Sequence, residues 1–218
     1  MGETHTLADR LRAARLIPVL TVDGVEGALG AVRALRAGGL RCIEVTLRRP
    51  EALDAIRAIR AELPDVDVAA GTVLDAAQLR AAREAGCVFA VSPGLSATLL
   101  RAARGSDLPL LPGVATPSDI LFGLEHGLDV FKLFPATALG GRDLLRALAG
   151  PFPQVRFCPT GGITPDSLAA FLAEPNVLAC GGSWLAPPAL QAAGDWAQIE
   201  ARARAALSLM DPAAGGDD

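Results

Sequence analysis

Along the chain, short runs of β-branched and apolar residues alternate with longer stretches in which alanine and leucine recur every three or four positions, the pattern of successive β-α units. Eight runs read as strands: "IPVLTV" (17–22), "CIEVTL" (42–47), "VDVAAGTV" (66–73), "VFAVSP" (88–93), "PLLPGV" (109–114), "VFKLFP" (130–135), "VRFCPT" (155–160) and "NVLACGG" (176–182). Stretches of helical period such as "EGALGAVRALRAGG", "PEALDAIRAIRAEL" and "DAAQLRAAREAG" lie between them. In "TPSD" (116–119) a threonine N-cap precedes proline at the first helical position and an acid follows, and "TPDS" (164–167) repeats the device. Eight such units with no linker or composition shift predict one (β/α)8 TIM barrel over residues 1–210, opened by a capping helix "LADRLRAARL" that follows Thr6. A doubly wound open sheet needs fewer strands or a second subdomain, and the pattern offers neither. The tail "DPAAGGDD" (211–218) is expected to be disordered.

Alternate residues of a strand face the same side, which sorts strand two into Ile43, Val45 and Leu47 on one face and Cys42, Glu44, Thr46 and Arg48 on the other. The apolar set must meet the helices, so Glu44, Thr46 and Arg48 are expected inside the barrel, toward the C-terminal mouth where barrel active sites lie. Strand six sorts alike: Phe131 and Leu133 suit the helix layer, and Lys132 points inward with Val130 and Phe134. Thr72, on the parity of Val68 and Ala70, and Thr160, on that of Cys158, add hydroxyls near their strand ends. A buried Lys–Glu pair can be a structural ion pair, but such a pair is often no more stable than an apolar replacement. Lys132 is also the only lysine among the twenty basic residues. A neutral lysine amine adds to carbonyl carbon, which an always-protonated arginine cannot do.

Strands seven and eight end in "PTGGIT" (159–164) and "CGGSWL" (180–185). Glycines let backbone amides approach an anion, and the loops after the last two strands are the usual phosphate site of such barrels. Gly161, Gly162 and Ser183 are therefore candidate phosphate ligands. A chain of 218 residues with 51% hydrophobic and 20% charged residues suits a packed domain, and a net charge of −4 without a basic stripe argues against nucleic acid. With no apolar run of membrane length and a polar start, "MGETHT", membrane and signal segments are unsupported and a cytoplasmic protein is expected. Cys42, Cys87, Cys158 and Cys180 are widely spaced and read as reduced core thiols; with only His5 and His126 besides, no metal site is expected.

"IEVTLR", "AGTV", "VSPG", "PGVATPSD", "FKLFPA", "PTGGI" and "GGSWL" stand in the order and approximate spacing of the bacterial 2-keto-3-deoxy-6-phosphogluconate (KDPG) aldolases, which also act on 4-hydroxy-2-oxoglutarate (KHG), and the chain resembles that family from about Ile17 to Pro187. The resemblance implies a class I aldolase on a (β/α)8 barrel, a homotrimer needing no cofactor or metal, that cleaves its phosphorylated 2-keto acid to pyruvate and glyceraldehyde 3-phosphate. It makes Lys132 the Schiff-base residue and Glu44 the general acid/base. Arg48 and Thr72 would hold the pyruvate end, Gly161, Gly162 and Ser183 the phosphate, and Pro93, Phe134 and Thr160 would line the pocket. The alternatives are the aldolase for the galactonate epimer, in which the second-strand "TLR" is not expected, and a non-catalytic phosphate-binding barrel, which would not need an inward Lys–Glu pair. A metal-dependent aldolase would need a ligand cluster that two histidines do not supply.

Overall fold

The computed structural model of the chain describes residues 6–210; residues 1–5 and the tail at 211–218, expected to be disordered, lie outside the described residues. All eight expected strands are present: β1 (Leu16–Leu20), β2 (Cys42–Thr46), β3 (Asp67–Gly71), β4 (Phe89–Val91), a fifth in two pieces, β5 (Leu110–Leu111) and β6 (Gly113–Val114), then β7 (Val130–Leu133), β8 (Arg156–Phe157) and β9 (Cys180–Gly182). The helices between them run α1 (Leu7–Ala14), α2 (Val25–Ala37), α3 (Ala52–Glu62), α4 (Ala76–Glu84), α5 (Ala97–Arg104), α6 (Pro117–Glu125), α7 (Gly141–Ala149), α8 (Pro165–Leu172), α9 (Pro188–Ala193) and α10 (Trp196–Met210).

Every strand pairing is parallel. One sheet has the order β5-β4-β3-β2-β1-β9 and a second the order β6-β7-β8. The order never reverses, so among the described residues there is no switch point of the doubly wound kind. The hydrogen-bonded strands do not form the single continuous ring that the sequence pattern predicts. Pro112 has no N–H and splits the fifth strand, although its carbonyl still accepts from the Lys132 amide at 2.9 Å. On the far side of β8 the link consists of isolated bridges, Phe157 to Val177 and Thr160 to Gly181. The architecture is a parallel α/β fold whose strands are all flanked by helices.

Two apolar layers fix which way each side chain faces. Ile43 and Val45 of β2, and Phe131 and Leu133 of β7, pack with helix residues such as Ile56, Ile120 and Leu145. Burying a side chain such as Phe131 contributes about 1.5–3 kcal/mol. Cys42, Ala69, Phe89, Val91, Leu111 and Cys158 form a second cluster inside the strands, closed from below by Leu11 of α1. The capping helix was expected after Thr6, whose hydroxyl accepts from the Asp9 amide at 3.2 Å, and Arg10 ties it to Asp67 at the start of β3 at 2.6 Å. Thr116 caps α6 in the same way, with Asp119 accepting from the Thr116 amide at 2.9 Å.

The alternation fails at Thr72. Val68 and Ala70 pack in the helix layer while Ala69 lies inside, so the parity assigned to Thr72 would have turned it outward. Beyond Gly71 the backbone enters the left-handed region, with φ 59° at Thr72, and strand parity stops applying.

Candidate active site

Lys132 and Glu44 meet inside the strands. The Lys132 Nζ lies 3.2 Å and 3.3 Å from the two Glu44 carboxylate oxygens, with 6% and 4% of the two residues exposed. The sequence dictates the meeting, because each follows the alternation of a strand whose other face is fully apolar. The half-buried ring of Phe134, two residues beyond Lys132, has its centroid 5.5 Å from the same nitrogen, a cation–π distance. Gly71 makes room for the acid: a methyl group built on its Cα would overlap the Glu44 carboxylate and come within 2.7 Å of Glu44 Cγ. Gly71 has no polar atom, and nothing in its own neighbourhood in the sequence marks this contact.

Cys158 also shares this interior. Burial pushes its thiol up to about 12; the Lys132 charge works against that and the Glu44 charge adds to it. Such a thiol is no nucleophile, and all four cysteines are buried and free.

The other candidates all follow the C-terminal ends of strands, which point one way because the strands are parallel. Arg48 was expected inside, but β2 ends at Thr46, so Arg48 sits in the turn beyond it, exposed and without an ion-pair partner among the described residues. Pro93 is exposed after β4, Thr72 half-buried after β3, and Ser183 exposed after β9. Thr160 is buried after β8, its amide donating to the Leu133 carbonyl at 3.0 Å. Gly161 and Gly162 follow with φ 100° and 80°, a backbone that residues with a Cβ rarely adopt. A methyl on Gly162 would strike Thr137 Cβ at 2.6 Å, and the Thr137 amide donates to the Gly161 carbonyl at 3.0 Å. Thr137 is a second neighbour the sequence did not reveal, since it comes from the loop after β7. Helix α8 starts three residues past Gly162, so its N-terminal dipole adds to the amides of this turn.

A cavity of about 720 Å³ opens at the opposite end, beneath α1, between Arg10, Arg41, Cys42, Asp67 and Met210. Of its two carboxylates, Asp67 is paired to Arg10 and Asp9 accepts from the Thr6 hydroxyl, and burial, first of all, pushes the Cys42 thiol far up. Lys132, Glu44 and the glycine turns do not line this cavity. Among the described residues no group of three or more His, Cys, Asp or Glu side chains is placed to hold a metal ion, and no helix is long and apolar enough to cross a membrane.

The family model for KDPG and KHG aldolases matches residues 7–202. The chain belongs to the KDPG and KHG aldolase family. It is 50% identical over 192 residues to the KHG/KDPG aldolase of Escherichia coli K12, covering 88% of this chain and 90% of that protein. Among solved structures, a KDPG aldolase of Legionella pneumophila with pyruvate captured at low pH as a covalent carbinolamine intermediate superposes with a TM-score of 0.90 at 40% identity, covering 93% of this chain and 98% of that one. The KDPG aldolase of Zymomonas mobilis with 3-phosphoglycerate gives 0.88 at 47% identity, covering 95% and 98%.

Proposed function

We propose that this member of the family is a class I aldolase that cleaves KDPG to pyruvate and glyceraldehyde 3-phosphate and also acts on 4-hydroxy-2-oxoglutarate, with Lys132 as the Schiff-base residue and Glu44 as the general acid/base. One observation carries the reading: the buried Lys132–Glu44 pair, 3.2 Å apart, at the end of the strands where the glycine turns gather. A pair held inside for stability alone gains little over apolar side chains, whereas an amine beside a proton acceptor is the equipment of imine chemistry.

The steps follow from that distance. Glu44 takes a proton from the Lys132 ammonium, and the neutral amine adds to the C2 ketone to give a carbinolamine. Returning the proton to the carbinolamine hydroxyl releases water and leaves an iminium. The Glu44 carboxylate then removes the C4 hydroxyl proton, the electrons of the C3–C4 bond move into the iminium, and the aldehyde departs. Glu44 protonates C3 of the resulting enamine, and hydrolysis of the imine releases pyruvate and restores the amine. Arg48, exposed at the mouth, pairs with the C1 carboxylate beside Thr72, which fixes the plane of the imine. Gly161, Gly162 and Ser183 hold the phosphate, and Pro93, Phe134 and Thr160 line the pocket. No metal or organic cofactor takes part.

The same reading closes the two sheets into a (β/α)8 barrel as one domain over residues 1–210, with the strand pieces on either side of Pro112 completing the ring, and assembles three copies in the cytoplasm. Sedimentation should then give a mass near three times 22.4 kDa. Comparing turnover of the gluconate and galactonate epimers sets the C4 preference.

Borohydride tests the central assignment. Treatment with pyruvate and borohydride should fix one pyruvate-derived adduct on Lys132, with the N-terminal amine the sole competing amine in a chain that has one lysine. Trapping at wild-type levels in Lys132→Arg would mean that the imine forms elsewhere.

A further inference from the structure

We propose that Thr21 is a specificity-determining residue that accepts a hydrogen bond from the C5 hydroxyl of the substrate, an inference that rests on the aldolase reading above. The Thr46 Oγ1 donates to the Leu20 carbonyl at 2.9 Å, and the Oγ1 atoms of Thr21 and Thr46 lie 3.1 Å apart. A carbonyl oxygen only accepts, so the single proton of Thr46 is committed to Leu20. Thr21 must then donate to Thr46. Its oxygen keeps lone pairs and no proton, so whatever binds there has to be a donor. Thr46 is fully buried and Thr21 half-buried, which leaves the accessible lone pairs on Thr21.

Strand order says which donor arrives. Ile17 belongs to the interior cluster while Leu16, Leu20 and Val22 belong to the helix layer, so the alternation along β1 carries Val19 and Thr21 inward with Ile17. Val19 pairs with Glu44, which puts the backbone of Thr21 and Thr46 two residues, about 7 Å, nearer the mouth than that of Glu44, whose side chain leans up to Gly71, the partner of Thr46. On its other edge β1 pairs with β9, through Ile17 with Gly181 and Pro18 with Gly182, next to Ser183. Thr21, one residue past β1, therefore follows the strand that lies between the acid on β2 and the turn after β9 that carries Ser183. A substrate whose C4 hydroxyl is at Glu44 and whose C6 phosphate is at Ser183 carries one group across that interval, C5 with its hydroxyl. A C5 hydroxyl is a donor, and a phosphate or carboxylate in its place would be repelled by an acceptor without a proton.

Condensation run in reverse isolates this contact. Pyruvate is joined to glyceraldehyde 3-phosphate or to 3-hydroxypropanal phosphate, the same aldehyde without the hydroxyl that becomes C5, and kcat/KM is measured for each. The wild-type chain should prefer the hydroxylated aldehyde by about tenfold, the effect of one hydrogen bond. Thr21→Val keeps the shape and removes the acceptor, so the preference should fall to near unity, and Thr21→Ser should restore it. Thr21→Ala repeats the loss should valine pack poorly. An unchanged preference in the valine and alanine variants, or none in the wild type, would show that the hydroxyl pair only ties β1 to β2. Absence of product from the wild type with either aldehyde would instead overturn the aldolase reading, and this one with it.

Discussion

Gly71→Ala asks whether the position of the Glu44 carboxylate sets the rate. Gly71 ends β3 opposite Thr46, and an added methyl carbon would lie 2.7 Å from Glu44 Cγ and 2.8 Å from Cδ, where ordinary contact begins at 3.4 Å. The carboxylate has to retreat by about 1 Å, and in a packed interior it cannot do so freely. Lys132 is held at 3.2 Å from that carboxylate, so the same retreat stretches or breaks the contact through which the proton moves. A misplacement of this size costs roughly 100-fold in kcat. The overpacking itself costs about 1–3 kcal/mol of stability, small enough for the variant to fold. Steady-state cleavage of KDPG, coupled to pyruvate reduction, gives the rate, and thermal unfolding gives the stability. Pyruvate trapping on Lys132 should slow in parallel, since imine formation uses the same carboxylate. A variant that unfolds at lower temperature yet cleaves KDPG at the wild-type rate would refute the reasoning, because the carboxylate would then be free to move without consequence.

Glu44→Gln should lower cleavage by roughly 10²–10⁴-fold while leaving slow formation of the pyruvate imine detectable by mass after borohydride. The four thiols should not react with a disulfide reagent at pH 8 in the native protein: burial pushes Cys87 and Cys158 up to about 12 and holds Cys42 and Cys180 far above the ordinary thiol range, and all four should titrate once the chain is denatured. Burial works to raise the Glu174 carboxyl, but hydrogen bonds from Arg142 at 2.7 Å and Arg146 hold it below its usual range. Its contribution is therefore complete above the unfolded carboxylate range and lost as pH falls through the lowered value, so Glu174→Gln should unfold at lower temperature than wild type at pH 7 and the gap should close in acid.

The inward direction of Glu44 and Lys132 was legible because the second face of each one's strand, Ile43 and Val45 or Phe131 and Leu133, is apolar throughout, which leaves the polar residue one place to go. That argument holds only while the backbone stays extended. At Thr72 the chain turns through φ 59°, and at Arg48 it has already left β2, so alternation no longer says where either side chain faces. Pro112 is visible in the sequence, but that it divides the fifth strand depends on which neighbours its carbonyl and missing N–H would face. Gly71 and Thr137 were hidden for another reason. Each matters through one contact with a residue distant in sequence, Glu44 or Gly162, and nothing in their own neighbourhoods marks that contact.

What the structure adds is a division of labour between the two ends of the strands. At the N-terminal end α1 packs Leu11 against the interior, and Arg10 is matched by Asp67, so that charge there is paired within the fold. At the C-terminal end the polar groups are left with capacity to spare: Arg48 has no acid among the described residues, Thr21 keeps lone pairs without a proton, and Gly161 and Gly162 hold a backbone in the left-handed region. Folding gains little from any of these. The aldolase reading proposed above would satisfy each with one ligand that carries a carboxylate, a hydroxyl and a phosphate along one chain, its ketone between them for Lys132 to attack.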